Sequence, residues 1–158
     1  MGAGSEVFMR RAIALSREKS AAGEGGPFGA VVVRGGAIIG EGWNQVLGTN
    51  DPTAHAEIVA IRRACAHRST FSLDGCEIYT SCEPCPMCLA AILWSRAEAL
   101  VYGASRRDAA AAGFDDADFY EQVTMPEERR RLASRRAGAA EAAAMMREWL
   151  ATPDREPY

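Results

Sequence analysis

The sequence predicts an α/β fold formed by one domain. Two observations predict it. Short apolar runs typical of strands alternate along the chain with helical patterns, and 158 residues with 48% apolar and 25% charged side chains fit one globular domain. No apolar run approaches the roughly 18 residues of a membrane span, and residues Met1 to Ser5 lack the basic and apolar regions of a secretory signal. We therefore expect a cytoplasmic protein.

Local sequence chemistry justifies the individual elements. Ser5 can cap a first helix, Gly35-Gly36 forms the two-residue turn of a hairpin, and Pro52 is suited to the first turn of a helix. The alanine-rich segment near the C-terminus also carries methionine, tryptophan and leucine, which give a helix one side to pack. The predicted elements are helix 6–20, strands 30–34 and 37–44, helix 54–66, strand 77–81, helix 84–95, strand 99–103, and helices 108–112, 116–123, 126–136 and 139–150.

Cysteine is the most informative residue type in the composition. The chain has five cysteines and two histidines. Because an odd number of cysteines in a chain expected in the cytosol does not suggest a disulfide framework, metal binding or thiol chemistry is favoured. The formal net charge of −3 argues against binding nucleic acid through bulk charge alone.

Two short clusters carry the chemistry, His55-Ala56-Glu57 and Pro84-Cys85-Pro86-Met87-Cys88, each at a predicted helix start. A catalytic zinc ion takes three protein ligands and keeps its fourth position for water. Cys85 and Cys88 would project to the same side of a helix, and His55 would supply the third ligand. Two thiolates leave such a centre nearly neutral, so its water needs a nearby base, and Glu57 is placed to serve.

Other interpretations of the cysteines are open at this stage. The Cys-x-x-Cys pair alone could be a redox pair or half of a structural zinc site. Together with Cys76 and Cys82 it could form a closed four-cysteine site, although this leaves His-x-Glu unexplained. We favour core positions for Cys65 and Cys76, a place for Cys82 beneath the metal, and a surface position for His67.

His-x-Glu followed by Pro-Cys-x-x-Cys is the signature of zinc-dependent nucleobase deaminases. From the first helix to about Gly113 the chain resembles the cytidine and deoxycytidylate deaminase superfamily. The resemblance implies a three-layer helix–sheet–helix sandwich with a five-stranded mixed sheet. It also implies one zinc ion held by His55, Cys85 and Cys88, with Glu57 as the proton shuttle.

Within the superfamily the chain most resembles the bacterial guanine deaminases. Most of the matching motifs also fit the transfer-RNA adenosine deaminases, and the distinguishing features are the stretch 108–116 and a helical C-terminus ending in Tyr158. The matching motifs are Gly26-Pro27-Phe28-Gly29-Ala30, Glu41-Gly42-Trp43-Asn44, Asp51-Pro52-Thr53-Ala54-His55-Ala56-Glu57 and Thr80-Ser81-Cys82-Glu83-Pro84-Cys85-Pro86-Met87-Cys88.

This resemblance implies hydrolytic deamination of guanine to xanthine and ammonia. It implies roles for further residues: a hydrogen bond from Asn44 to the purine, a contact from the Ala56 amide, ring contacts from Phe28 and Trp94, and proton transfer assisted by Asp116. Structural roles compete with these: a turn for Asn44, core packing for Trp94, and helix capping for Asp115 and Asp116.

The resemblance also implies a homodimer of single-domain chains (1–158) that exchange residues 137–158, so that Tyr158 covers the partner's pocket. The alternatives are a transfer-RNA adenosine deaminase, a guanosine or cytosine deaminase, and a non-catalytic zinc module. Arginines 129–131, 135 and 136 could contact phosphates in the first case, but they also complement a helix dipole. We expect a small purine base as the substrate, without nucleic-acid or membrane partners.

Overall fold

The computed structural model describes residues 3–114 and 116–156. They divide into two units, one ending at Val123 and one beginning at Thr124, and each is described by itself. The helices and strands, in chain order, are α1 (Ala3–Ala21), β1 (Gly29–Arg34), β2 (Ala37–Trp43), α2 (Val46–Thr49), α3 (Ala56–Arg68), β3 (Cys76–Cys82), α4 (Pro86–Trp94), β4 (Ala99–Ala104), α5 (Arg106–Ala111), α6 (Asp116–Thr124) and α7 (Ala139–Ala151).

The sheet is mixed, with the strand order β2-β1-β3-β4. β1 pairs antiparallel with both β2 and β3, whereas β3 and β4 are parallel and are connected through α4. The prediction of a mixed α/β sheet is confirmed, but the described residues form four strands rather than five. After β4 the chain enters α5, where Ser105 caps an alanine-rich segment that favours helix over a further strand.

Apolar residues bury both faces of the sheet, which gives three layers. Alternate residues of a strand point to opposite faces, so neighbouring valines of β1 serve different cores. Leu15 of α1 packs on one face against Val31, Val33 and Tyr79. On the other face the buried cluster contains residues of the sheet, of α3 and of α4, together with Leu73: Ala30, Val32, Ala56, Ala60, Ala64, Leu73, Cys76, Ile78 and Ile92.

Two glycines of β2 allow α3 to lie unusually close to the sheet. A Cβ atom at Gly42 would collide with the carbonyl oxygen of Ala56, and one at Gly40 would collide with that of Ala60. A side chain at either position would therefore push α3 away from the sheet. This close approach fixes the position of the start of α3, where His55 is the N-cap and Glu57 is the second residue.

The helices that carry the two motifs begin later than predicted. α3 begins after His55, because the Thr53 amide and hydroxyl both donate to Asp51 Oδ1, at 2.8 and 2.7 Å, and form a turn instead. α4 begins after Cys85. The observed starts place one candidate zinc ligand at the N-cap of each helix.

The unit from Thr124 onward contains α7, close to its predicted range, but the predicted helix over 126–136 is wrong. Only Glu127–Arg129 forms a short 3-10 turn. The segment carries five arginines, and its one large apolar residue, Leu132, is 79% exposed. Without an apolar face to bury, a short helix is not stable. Across both units, no helix among the described residues combines the length and apolar character needed to cross a membrane.

Candidate metal centre and active site

Two helix N-termini supply the candidate zinc ligands. His55 is the N-cap of α3 and Cys85 is the N-cap of α4, and neither side chain makes a capping hydrogen bond. Cys88 lies in the first turn of α4, three residues after Cys85. The exposed amides and dipole at the start of a helix stabilise thiolates. The local structure therefore favours two metal-binding sulfurs at this position.

The three ligand atoms have the separations that tetrahedral zinc requires. His55 Nδ1 lies 3.6 Å from Cys85 Sγ and 3.5 Å from Cys88 Sγ, and all three atoms lie within 4.8 Å of one another. Zinc–sulfur and zinc–nitrogen bonds of about 2.3 and 2.0 Å at the tetrahedral angle place N and S roughly 3.6 Å apart. These residues therefore fit a zinc ion, and they leave a fourth coordination position to a non-protein ligand.

The protein groups around Cys85 themselves favour its thiolate form. A hydrogen bond from Cys88 and a second from His55 lower the pKa of Cys85 to about 4, although burial opposes this. The pKa of Cys88 is raised because its thiol donates to Cys85 and is buried. The pKa of His55 is raised chiefly by its hydrogen bond to Cys85, with smaller contributions from the charges of Glu57 and Asp116.

Glu57 is the one buried carboxyl group beside these ligands among the described residues. Burial raises its pKa, its own backbone amide opposes the shift, and the Cys85 thiolate raises the pKa further. A carboxylate whose pKa lies above its ordinary value is a stronger base than that of an exposed glutamate. The chemistry of this group therefore suits proton transfer.

A cavity of about 330 Å³ opens in front of these groups. This volume is in the range of small-molecule sites. Phe28 and Phe114 face each other edge to face, with ring centroids 4.7 Å apart, and give the cavity an aromatic wall. The lining residues are Gly26, Phe28, Asn44, Val46, Leu47, His55, Glu57, Glu83, Cys85, Phe114 and Asp116.

Asn44 is held in a defined orientation at the edge of the cavity. Its side-chain oxygen accepts hydrogen bonds from the amides of Gly26 and Val46, at 3.4 and 3.3 Å. The side-chain NH₂ group remains as the donor that can face a ligand. The turn-forming role and the binding role expected for Asn44 are therefore compatible.

The structure brings most of the predicted site residues together. His55, Glu57, Cys85, Phe28, Asn44 and Asp116 line one cavity, and Cys88 is buried against His55. The predicted contact residue Ala56 is the first residue of α3, where backbone amides have no partner within the helix.

Of three further predicted residues, the structure describes only Trp94, which does not line the cavity. Trp94 is 61% exposed at the end of α4 and is absent from the residues that line the cavity within this chain. Tyr158 and Asp115 lie outside the described residues.

Sequence reasoning missed several residues of the cavity wall. Phe114 stands in the stretch 108–116, and an aromatic residue between an alanine run and two aspartates was the available signal. Val46 and Leu47 belong to α2, a four-residue helix too short to predict. Glu83 lies between Cys82 and Cys85, and the sequence does not indicate its partner. In the structure it accepts a hydrogen bond from Arg106, which is 23 residues away.

The remaining cysteines do not form a second metal site in the described part of the chain. Its one group of potential ligands is His55, Cys85 and Cys88. Cys76 is fully buried in the core, and Cys65 packs partly buried against the same cluster. Cys82 ends β3, and burial raises its pKa to about 11. The closed four-cysteine alternative is therefore wrong.

Comparisons with known proteins agree with this site. Residues 4–104 match the cytidine and deoxycytidylate deaminase zinc-binding region. The chain is 56% identical over 125 residues to a guanine deaminase from Bacillus subtilis, covering 79% of this chain and 80% of that protein. It superposes on an X-ray structure of guanine deaminase from Bacillus subtilis with a TM-score of 0.94 and 47% identity, over 100% of this chain and 99% of that chain.

A more distant relative is a tRNA-specific adenosine deaminase from Aquifex aeolicus. It is 44% identical over 101 residues, which cover 64% of this chain and 66% of that protein. The family match, which ends at residue 104, includes the motifs around His55 and Cys85. From the matched region and the zinc-compatible site, we conclude that the chain belongs to the cytidine and deoxycytidylate deaminase family of zinc-binding proteins.

Proposed function

We propose that this protein deaminates guanine hydrolytically, giving xanthine and ammonia, with one zinc ion per chain held by His55, Cys85 and Cys88. The observation that carries the proposal is the tetrahedral spacing of these ligand atoms beside buried Glu57. The relatives named guanine deaminase support the choice of guanine, because one is 56% identical over 79% of this chain and the structural match covers 100% of it.

A zinc ion held by His55, Cys85 and Cys88 would lower the pKa of a bound water and so supply a nucleophile at neutral pH. Two thiolate ligands reduce the effective charge of the metal, so a protein base is needed to complete the activation. Glu57 takes the proton of the attacking water as its oxygen adds to C2 of guanine, the carbon that bears the exocyclic amine. Its raised pKa suits this role.

Protonation is the second task of the site, because an amide ion is not an acceptable leaving group. Glu57 delivers a proton to the ring nitrogen beside C2. Glu57 then takes the proton of the hydroxyl added at C2 and passes it to the amine as the carbon–nitrogen bond breaks and the C2 carbonyl forms, with Asp116 assisting at the cavity wall. Water and guanine are consumed, and xanthine and ammonia are formed.

Substrate binding uses the rest of the cavity. Phe28 and Phe114 supply the aromatic surface, and the NH₂ group of Asn44 donates to an acceptor on the purine. The Ala56 amide provides a second donor. A volume of about 330 Å³ accommodates a free base.

We further propose that two copies of this single-domain chain form a homodimer by exchanging residues 137–158. An apolar groove beside His55 and Cys85 supports this, because its walls include Met87, Phe119 and Val123. In the dimer Tyr158 of one copy covers the groove of the other, and Trp94 contacts the ring of the bound purine.

Sedimentation of the full chain should give a dimer, and deletion of residues 152–158 should raise KM. A monomeric active enzyme contradicts the exchange.

We expect the enzyme to act in the cytoplasm. The site requires reduced thiols, and all five cysteines are free. A reducing compartment maintains this state.

A coupled ammonia-release assay tests the proposed reaction. The zinc-loaded protein is given guanine, guanosine, cytosine, adenine or an aminated triazine, and a transfer-RNA anticodon stem-loop is tested in parallel for inosine. We expect guanine to give the highest kcat/KM. Salt-sensitive binding of the stem-loop with inosine formation contradicts the proposal and supports transfer-RNA adenosine deamination. Zinc binding without ammonia from any substrate supports a non-catalytic module.

A further inference from the structure

The helix α6 lies at the active site but buries none of its residues. α6 begins at Asp116, which lines the cavity, yet this nine-residue helix has no buried residue. A helix of this length depends on tertiary contacts for its stability. The placement of Asp116 at the active site therefore depends on specific side chains that hold α6.

Arg106, the first residue of α5, binds Glu83 through two separate groups. The Arg106 amide donates to Oε2 of Glu83 at 2.9 Å, and Nη2 of its guanidinium lies 3.0 Å from Oε1. Glu83 lies in the cavity wall with 14% of its side chain exposed, whereas the Arg106 side chain is 43% exposed. Both carboxylate oxygens of Glu83 are thereby engaged, and the guanidinium of Arg106 is held in place.

Tyr120 connects α6 to this pair and to the ligand-bearing segment. The guanidinium of Arg106 lies 4.3 Å from the centroid of the Tyr120 ring, a favourable cation–π distance. The Tyr120 hydroxyl donates to the carbonyl oxygen of Pro84 at 2.8 Å, directly before Cys85. Tyr120 follows Asp116 by four residues, so the two share one face of α6.

We propose that Arg106 and Tyr120 are positioning residues that hold α6 against the segment between Glu83 and Cys85, and so keep Asp116 at the reacting group. The kinetic part of this inference rests on the proposed deamination. The structural part, that these contacts hold α6, does not.

Tyr120→Phe tests the contact because it removes the hydroxyl and keeps the ring over Arg106. Tyr102→Phe, at an exposed tyrosine of β4, is the matched control. We expect faster hydrogen–deuterium exchange in residues 116–124 of Tyr120→Phe, with unchanged exchange in α3. We expect kcat for guanine to fall about tenfold, as for loss of one hydrogen bond, with KM unchanged within about twofold. The control should match the wild type in both measurements.

A double-mutant cycle with Asp116→Asn tests whether the effect passes through Asp116. If it does, adding Tyr120→Phe to Asp116→Asn changes kcat less than about twofold. A full further loss shows that the residues act independently and overturns the proposal. If the wild type does not deaminate guanine, the proposed function fails, and exchange alone decides the positioning role. Unchanged exchange of α6 in both Tyr120→Phe and Arg106→Gln overturns that role.

Discussion

The N-termini of α3 and α4 differ from that of α5 in how the chain caps them. At α5 the Ser105 hydroxyl accepts from the Asp108 amide, and the Asp108 carboxylate accepts from the Ser105 amide at 2.7 Å. At α3 and α4 the capping positions hold His55 and Cys85, whose side chains cap nothing. The start of α5 is thus stabilised by its own capping residue, whereas the starts of α3 and α4 bring His55 and Cys85 into contact.

This difference shows where chemistry has displaced local stability. Serine, threonine, aspartate and asparagine at an N-cap stabilise a helix by about 1 kcal/mol over other residues. α3 and α4 forgo this contribution, and their capping residues instead approach within 3.6 Å. Local rules that fail together at one place mark a functional site.

Among variants that keep the zinc site, the largest effect on turnover is expected from Glu57→Gln in the first turn of α3. The variant keeps the size of the side chain but cannot take or give the proton, so kcat for guanine should fall by about 10³-fold. Steady-state xanthine formation measures this.

Zinc content separates loss of the proton shuttle from loss of the site. Glu57→Gln should retain one zinc per chain, and Glu24→Gln, at an exposed ion pair, should retain full activity. Near-normal turnover by Glu57→Gln would remove Glu57 from the mechanism.

An intermediate effect, on the free energy of unfolding, is expected when the capping residue of α5 is removed or a capping residue is introduced before α3. Ser105→Ala should lower the free energy of unfolding by about 1 kcal/mol and leave kcat unchanged. His55→Asn should abolish zinc binding and turnover. The metal-free variant should stay within about 1 kcal/mol of the metal-free wild type, because the new cap offsets the lost hydrogen bond to Cys85. Urea unfolding tests both variants, and a loss of several kcal/mol in His55→Asn contradicts the comparison.

The same contrast explains what the sequence could predict. The grouping of the candidate zinc ligands was predictable because each motif lies within a few residues of the chain and the spacing alone limits the chemistry. The four observed strands were predictable for a similar reason, since their apolar residues are contiguous. Phe28 and Asn44 were expected from a resemblance, and the cavity places them beside the ligands.

Features that depend on distant contacts were not predictable. The partnership of Glu83 with Arg106 requires knowledge that α5 returns to the end of β3. The helix expected over 126–136 is a different case, because its single large apolar residue, Leu132, already indicated in the sequence that a helix there would have no apolar face to bury. The fifth strand was expected from resemblance alone, and no apolar run after β4 supported it.

The smallest effect is expected at the ion pair between Arg11 of α1 and Glu41 of β2, which caps none of the three helix starts. Arg11 donates to both oxygens of Glu41, at 2.7 and 2.8 Å, and this lowers the pKa of Glu41. Both side chains are about one-third exposed, so solvent screening limits the pair to about 0.5 kcal/mol.

The contribution of this pair should depend on pH. Because the folded-state pKa is lowered, the stabilisation is complete above the unfolded value of about 4.3 and is lost as pH falls through the folded value. Glu41→Gln should therefore be less stable than the wild type at pH 7 and equal to it in acid, as measured by urea unfolding. Glu6→Gln, at a pair 66–69% exposed, should match the wild type throughout. A Glu41→Gln deficit that grows in acid contradicts this assignment.

Zinc-dependent turnover of guanine tests the central claim most directly. The protein is stripped of metal with a chelator, zinc is returned in steps, and xanthine formation is measured at each step. We predict no turnover without zinc, and a linear rise that ends at one zinc per chain. Turnover by the metal-free protein, or none from the fully loaded protein, would contradict the account.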